Sequence, residues 1–265
     1  MKNSLHAFGF RLLMSTLLIS LLLFSIHSAG STKGAKMPGS WQQNKPTYMR
    51  VVEHGTLTGT ISFEGEVPKR RFIDMSADGI CPQLNPKAQT EDVMVTDGKL
   101  ANVFVYVKSG NALDAYQFET PVTEAVLDHK RCRMSPHMLG IQVGQPLKIL
   151  NSDQTHHNSH PVPRDNQEWN RTQGPGAPPF VVQFAKPEII PFKDNQHPWE
   201  KAYVGVFAHP FFAVSGKDGS YRIEGLPAGS YTIVAWHERF GEKTMQITIA
   251  PYENRKLDFI FEPEK

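Results

Sequence analysis

Behind Lys2 and Arg11 the chain carries an apolar run at residues 12–26, and it then loses hydrophobic patterning until about residue 50. From there, short stretches of β-branched and aromatic residues alternate with turn residues, the pattern of strands. They are GTLTGTISFEGEV from Gly55, ANVFVYV from Ala101 after the Asp97-Gly98 turn, VTEAVLDH from Val122, IQVGQPLKIL from Ile141 and PFVVQFAKPEII from Pro179. Beyond residue 200 the rhythm tightens, and strands are predicted at 203–206, 221–223, 231–236, 245–249 and 257–261. Asp218-Gly219, Leu226-Pro227-Ala228-Gly229 and Gly241 part them: Asp-Gly accepts positive φ, and the proline presets a reversal. No long stretch carries a helical period. The expected fold class is therefore all-β, an antiparallel sandwich or barrel followed by a small second sandwich.

The first apolar run is too short for a comfortable membrane span, and Ser28, Ala29 and Gly30 follow it as small residues suited to cleavage. Residues 1–29 read as a secretory signal peptide, with no cysteine at the cleavage point to take a lipid. Residues 30–50, rich in Gly, Ser, Lys, Pro and Gln, read as a flexible linker. The expected location is the periplasm, the medium or the cell surface, with no membrane span after leader cleavage. The net charge of +2 belongs to Lys2 and Arg11, so the remainder balances at 26 basic against 26 acidic residues. That balance gives no basic surface for nucleic acid. Two cysteines, Cys81 and Cys132, most simply pair as one disulfide in an oxidising compartment; a free or metal-bound thiol is the alternative.

Candidate chemistry concentrates in two places. His156-His157-Asn158-Ser159-His160 puts three imidazoles within five residues. A regular strand would turn His157 away from His156 and His160, so only a loop brings His157 and His160 to one ion. Asp194, His197 and Glu200 stand three apart and in a loop can converge on the same pocket. Their structural alternative is an Asx turn at Asp194, a packed His197-Pro198-Trp199 corner and a solvated Glu200. His137 joins them if the disulfide folds its loop inward, whereas His209 and His237 read as structural histidines. Residues 161–179, polar and rich in proline, read as a surface excursion beside the histidines. There is no phosphate loop, nucleophile elbow or His-Glu-x-x-His helix, and an enzyme is not expected.

Two resemblances sharpen this reading. DGSYRIEGLPAGSYTIVAWHE, within residues 213–261, resembles the carboxypeptidase-regulatory-like and rhamnogalacturonan-lyase middle domains, transthyretin-like sandwiches of carbohydrate-binding-like fold. In those lyases catalysis belongs to a separate domain, so lyase activity is not implied. GQPLKILNSDQTHHNSH and FKDNQHPWEKAY resemble the two ligand loops of exported plastocyanin-type cupredoxins. Carried over by position, His157 and His197 match the histidine ligands, while Asp194 stands in the place of the thiolate cysteine and Glu200 in that of the axial methionine. The resemblance thus implies a cupredoxin-like domain at 51–205 and a carbohydrate-binding-like module at 206–265. It implies a non-catalytic binding protein with a hard His/carboxylate site for copper or zinc, drawn from His157, His160, Asp194, His197 and Glu200, or with no metal. A glycan-binding or cell-surface role is the alternative, and no protein partner is specified.

Overall fold

The computed structural model describes residues 53–110, 113 and 116–263; the expected leader and linker lie outside the described residues. The body is built of strands. In chain order they are β1 (His54–Phe63), β2 (Val95–Thr96), β3 (Lys99–Leu100), β4 (Phe104–Gly110), β5 (Ala125–His129), β6 (Met134–Ser135), β7 (Met138–Gln142), β8 (Leu147–Asn151), β9 (His157–Pro161) and β10 (Arg171–Gln173). There follow β11 (Phe180–Val182), β12 (Glu188–Lys193), β13 (Lys201–Phe207), β14 (Phe212–Val214), β15 (Ser220–Pro227), β16 (Gly229–His237), β17 (Gly241–Ile249), β18 (Asn254–Lys256) and β19 (Phe259–Phe261). A single helical turn, α1 (Cys81–Leu84), interrupts the loop after β1. The all-β expectation holds.

The strands form two sandwiches. In the first, a sheet ordered β15-β1-β3-β2, with β18 and β19 also on β1, shares a core with the sheet β14-β4-β16-β17. β1 alternates strictly between half-buried and buried positions, and Leu57, Ile61 and Phe63 meet Val105, Ile233, Phe259 and Phe261 in that core. Gly59 has no room for a side chain, since a Cβ there would stand 1.8 Å from the Leu257 carbonyl oxygen. Asp97 and Gly98 take φ of 49° and 70° between β2 and β3, the two positive values that a tight two-residue hairpin demands.

In the second sandwich the sheet β10-β9-β12-β13-β7 and the sheet β11-β8-β5-β6 enclose Leu127, Ile141, Ile149, Ile190, Phe192 and Val204. Phe104, Met138 and Phe207, with Tyr203, Phe212 and Trp236 against them, fill the junction between the two sandwiches.

The expected division at residue 205 does not follow the pairing. β1 and β4, from the 51–205 stretch, bind strands of the 206–265 stretch: β1 lies against β15, β18 and β19, and β4 lies between β14 and β16. The physical reason is the shared core. Without Leu57, Ile61, Val105 and Val107 the strands after 206 would leave one side of their apolar surface uncovered. The second sandwich, β5 to β13, is inserted between the strands of the first.

Candidate metal centre

Three pieces of backbone meet at one end of the second sandwich. The first is the connection from β12 to β13, residues 194–200. It is closed by backbone hydrogen bonds from Asp194 N to the Glu200 carbonyl (3.4 Å) and from Glu200 N to the His197 carbonyl (2.8 Å). Asp194 Oδ1 accepts from the amides of Gln196 (2.7 Å) and His197 (2.9 Å), so the predicted Asx turn is present. The turn leaves Oδ2 free to face inward. The second piece is the connection from β8 to β9. Asn151 braces it, donating from Nδ2 to the carbonyls of Thr155 (2.8 Å) and Gln173 (3.0 Å), while its Oδ1 accepts from the Asp153 amide (2.9 Å). That bracing delivers His157 as the first residue of β9. The third piece is the end of β5, which places His129 on the parallel neighbour of β8.

Their side chains converge in a dry pocket: His129 is 0 % exposed, His157 1 %, Glu200 1 %, Asp194 2 % and His197 4 %. His129 Nδ1 donates to Glu200 Oε2 (2.9 Å), and His157 Nδ1 lies 2.9 Å from Glu200 Oε1 and 3.3 Å from Asp194 Oδ2. His197 Nδ1 donates to the same Asp194 oxygen (3.2 Å). One ligand-capable atom from each of His129, His157, Asp194 and Glu200 falls within 4.8 Å of the others. The rings of His129 and His157 stack, 4.8 Å apart and 9° from parallel. Glu200 Oε1 is buried and accepts no well-aligned hydrogen bond, despite its short approach to His157.

Each inward Nδ1 is backed by a partner on the ring's far side. His157 Nε2 donates to Asp153 Oδ2 (3.0 Å), His197 Nε2 to Asp78 Oδ2 (3.2 Å), and His129 Nε2 lies 2.8 Å from Ser159 Oγ. Burial alone would lower the His157 pKa, but its hydrogen bonds to Asp153 and Asp194 and the close Glu200 carboxylate win and raise it to about 11. His197 is raised for the same reason by Asp194 and Asp78. Burial pushes Asp194 up and the hydrogen bonds from both imidazoles and two amides push it down further, so it stays ionised.

Of the sequence-predicted ligands, His157, Asp194, His197 and Glu200 come together. His160 does not. β9 begins at His157, so three residues on His160 points to the other face, where its ring meets Asn195 Oδ1 (3.2 Å) and Glu168 Oε1 (2.7 Å). His137 is also elsewhere, paired with Glu238 beside Lys201. Sequence reasoning missed His129, Asp153 and Asp78. Cys81 and Cys132 form the expected disulfide.

A blue-copper centre depends on a thiolate, and none stands in this pocket, because both cysteines are joined to each other and Asp194 and Glu200 provide oxygens. The residues do fit a borderline or hard divalent ion. Imidazole nitrogens and carboxylate oxygens are ligands of Zn(II) and Cu(II), and the carboxylates behind His157 and His197 are the outer partners that fix ring orientation in such sites.

No family model and no curated protein sequence matches the chain. Parts of it resemble solved cupredoxin structures, all at low overall similarity. A copper-containing nitrite reductase from Thermus scotoductus is 17 % identical over 32 % of this chain and 22 % of that one, with a TM-score of 0.30. A purple cupredoxin from Nitrosopumilus maritimus is 20 % identical over 31 % of this chain and 98 % of that one (TM-score 0.27). A methionine-to-alanine variant of amicyanin holding Cu(I) is 20 % identical over 38 % and 97 % (TM-score 0.28).

Proposed function

We propose that this chain is an exported, non-catalytic metal-binding protein whose cupredoxin-like sandwich holds Zn(II) or Cu(II) through His157, His197, Asp194 and Glu200, with His129 as a fifth donor. The observation that carries this reading is the set of inward Nδ1 atoms, each backed at Nε2, around two buried carboxylates. A purely structural cluster has no need to bring ring nitrogens of His129 and His157 and carboxylate oxygens of Asp194 and Glu200 within 4.8 Å of one another, with His197 beside them on the Asp194 oxygen. The absence of a thiolate argues against a role as a blue electron carrier. Loading the purified chain with copper or zinc and measuring bound metal tests it: one ion per chain is expected, with the Cu(II) form pale and lacking the intense thiolate band. Loss of binding in both His157→Ala and His197→Ala is required, and no uptake of either ion sinks the proposal.

A second reading, glycan binding, has one specific support. A cleft of about 450 Å³ at the sandwich junction is lined by Tyr106, Tyr203 and Trp236, with Glu242 and Arg164 at hand. Half-buried aromatic faces beside charged groups suit pyranose rings. A glycan array with the whole chain and with Trp236→Ala separates this from the metal reading.

A further inference from the structure

The disulfide is not remote from the site. Cys81 N–H donates to Asp78 Oδ1 (2.8 Å), and the other oxygen of that carboxylate takes the His197 ring. Cys132 N–H donates to Asp153 Oδ2 (2.7 Å), the oxygen that takes the His157 ring, and Arg131 N–H holds Asp153 Oδ1 (2.7 Å). One covalent bond therefore ties the loop that carries Asp78 to the β5–β6 turn whose amides hold Asp153, the two carboxylates behind the two histidines. The sulfurs lie close as well. Ligand-capable atoms of Asp78, Cys81 and His197 fall within 4.8 Å of one another, and so do those of Cys132, Asp153 and His157. Both cysteines are fully buried, packed with Met75, Ala88 and Trp199.

Resting on the metal-site reading above, we propose that this disulfide is a redox-operated part of the site: closed, it fixes the hard His/carboxylate set, and opened, it adds a soft-metal site made of Cys81 and Cys132 with His157 and His197. The opening needs a dithiol. One of its thiolates attacks a cysteine sulfur and the S–S bond breaks. Its second thiolate then displaces the mixed disulfide, so the chain gains two thiols and the reductant leaves as a cyclic disulfide. Binding of a soft ion then releases the thiol protons to solvent. Thiolates with imidazole favour Cu(I), whereas the closed form offers oxygen and nitrogen only. Opening also frees the loops behind His157 and His197, and loss of such outer partners costs roughly 10- to 100-fold in metal affinity.

The experiment uses the whole chain, with thiols counted before and after native incubation with dithiothreitol, and Cu(II) and Cu(I) affinities measured by chelator competition. The oxidised protein is expected to bind Cu(II) and to take little Cu(I). The reduced protein is expected to gain Cu(I), with a near-ultraviolet thiolate-to-metal band, whereas the loss of support, roughly 10- to 100-fold in Cu(II) affinity, is read on Cys81→Ser with Cys132→Ser, whose hydroxyls do not reduce Cu(II). Cys81→Ser with Cys132→Ser removes that band and the Cu(I) uptake. If this variant does not fold, Asp153→Asn in the oxidised chain tests the outer support alone, with the same loss of Cu(II) affinity expected. Undiminished Cu(II) affinity in the double serine variant, with no Cu(I) uptake by the reduced chain, overturns this inference only, as does a disulfide that opens only when the fold is lost. No Cu(II) or Zn(II) binding by the oxidised chain overturns the metal-site reading itself.

Discussion

Asp194 serves chain and site with different oxygens. Oδ1 closes the turn on two amides, and Oδ2 faces the His157 and His197 rings and the Asn158 amide (2.9 Å). Asp194→Ala strands those buried amides and removes a buried counter-charge, a loss of about 3–5 kcal/mol in the metal-free protein. Urea unfolding at neutral pH measures it, and a loss below about 1 kcal/mol would show that the turn stands without the carboxylate. His237 gives the pH counterpart. Its ring is buried on Phe240, its Nδ1 accepts from the Arg239 amide (3.2 Å), and Glu238, His137, Asp92 and Lys201 surround it electrostatically. Burial lowers its pKa from 6.5 to about 4. A group lowered in this sense contributes its full stability above pH 6.5, and the contribution fades as pH falls toward 4, by about 2 kcal/mol at pH 5. His157 and His197, whose pKa values are raised, slope the other way over this range, so the His237 contribution is read as a difference: between pH 7 and 5 the unaltered chain should lose about 2 kcal/mol more, by urea unfolding, than His237→Gln does. Much of the site was legible at this scale: the 194/197/200 spacing and the His157 phrase led to residues that do meet. His129 was not, because it ends an ordinary apolar strand and reaches the site only through the parallel pairing of β5 with β8. His160 misled because His157 already lies in β9, where strand alternation, not loop freedom, decides which way each ring points.

At the scale of elements, strand existence was readable and partnership was not. Alternation and turn residues place β1, β15, β16 and β17 within a few residues, since each is dictated locally. Which strands share a sheet is set by the burial of faces far apart in the chain, and so reading the last 60 or so residues as a module of their own concealed their need for β1 and β4. A fragment of residues 206–265 should accordingly be unfolded by circular dichroism and show collapsed amide dispersion in NMR spectra. Independent folding of that fragment would mean that the contributions of β1 and β4 are dispensable. Within the whole chain, Phe261, buried on β19 beside β1, should cost about 3–5 kcal/mol when replaced by alanine.

For the whole molecule, the question is whether two sandwiches respond as one. Their junction is apolar and aromatic: Phe104 packs against Phe207 with centroids 5.8 Å apart and against Trp236 at 6.0 Å, while Tyr203 meets Trp236 at 5.3 Å. A partly buried polar link crosses it too, with Lys201 Nζ 2.5 Å from Glu238 Oε2 and His137 on the other oxygen of that carboxylate. The chain also crosses the junction twice, entering the second sandwich after β4 and returning after β13, so neither sandwich can unfold with the other's strand ends left in place. Coupling of this kind predicts a single thermal transition. An ion that binds only the folded chain, at about 100 times its dissociation constant, adds about 2.7 kcal/mol. For a body of this size that raises Tm by about 5–10 °C. Calorimetry with and without Zn(II) should show one peak that moves as a whole, although the ion touches only the second sandwich. In Trp236→Ala the junction loses its largest side chain, and the peak should broaden or split, with zinc then moving only one component. Two independent peaks in the unaltered protein would show instead that the junction holds the sandwiches side by side without making them one cooperative unit.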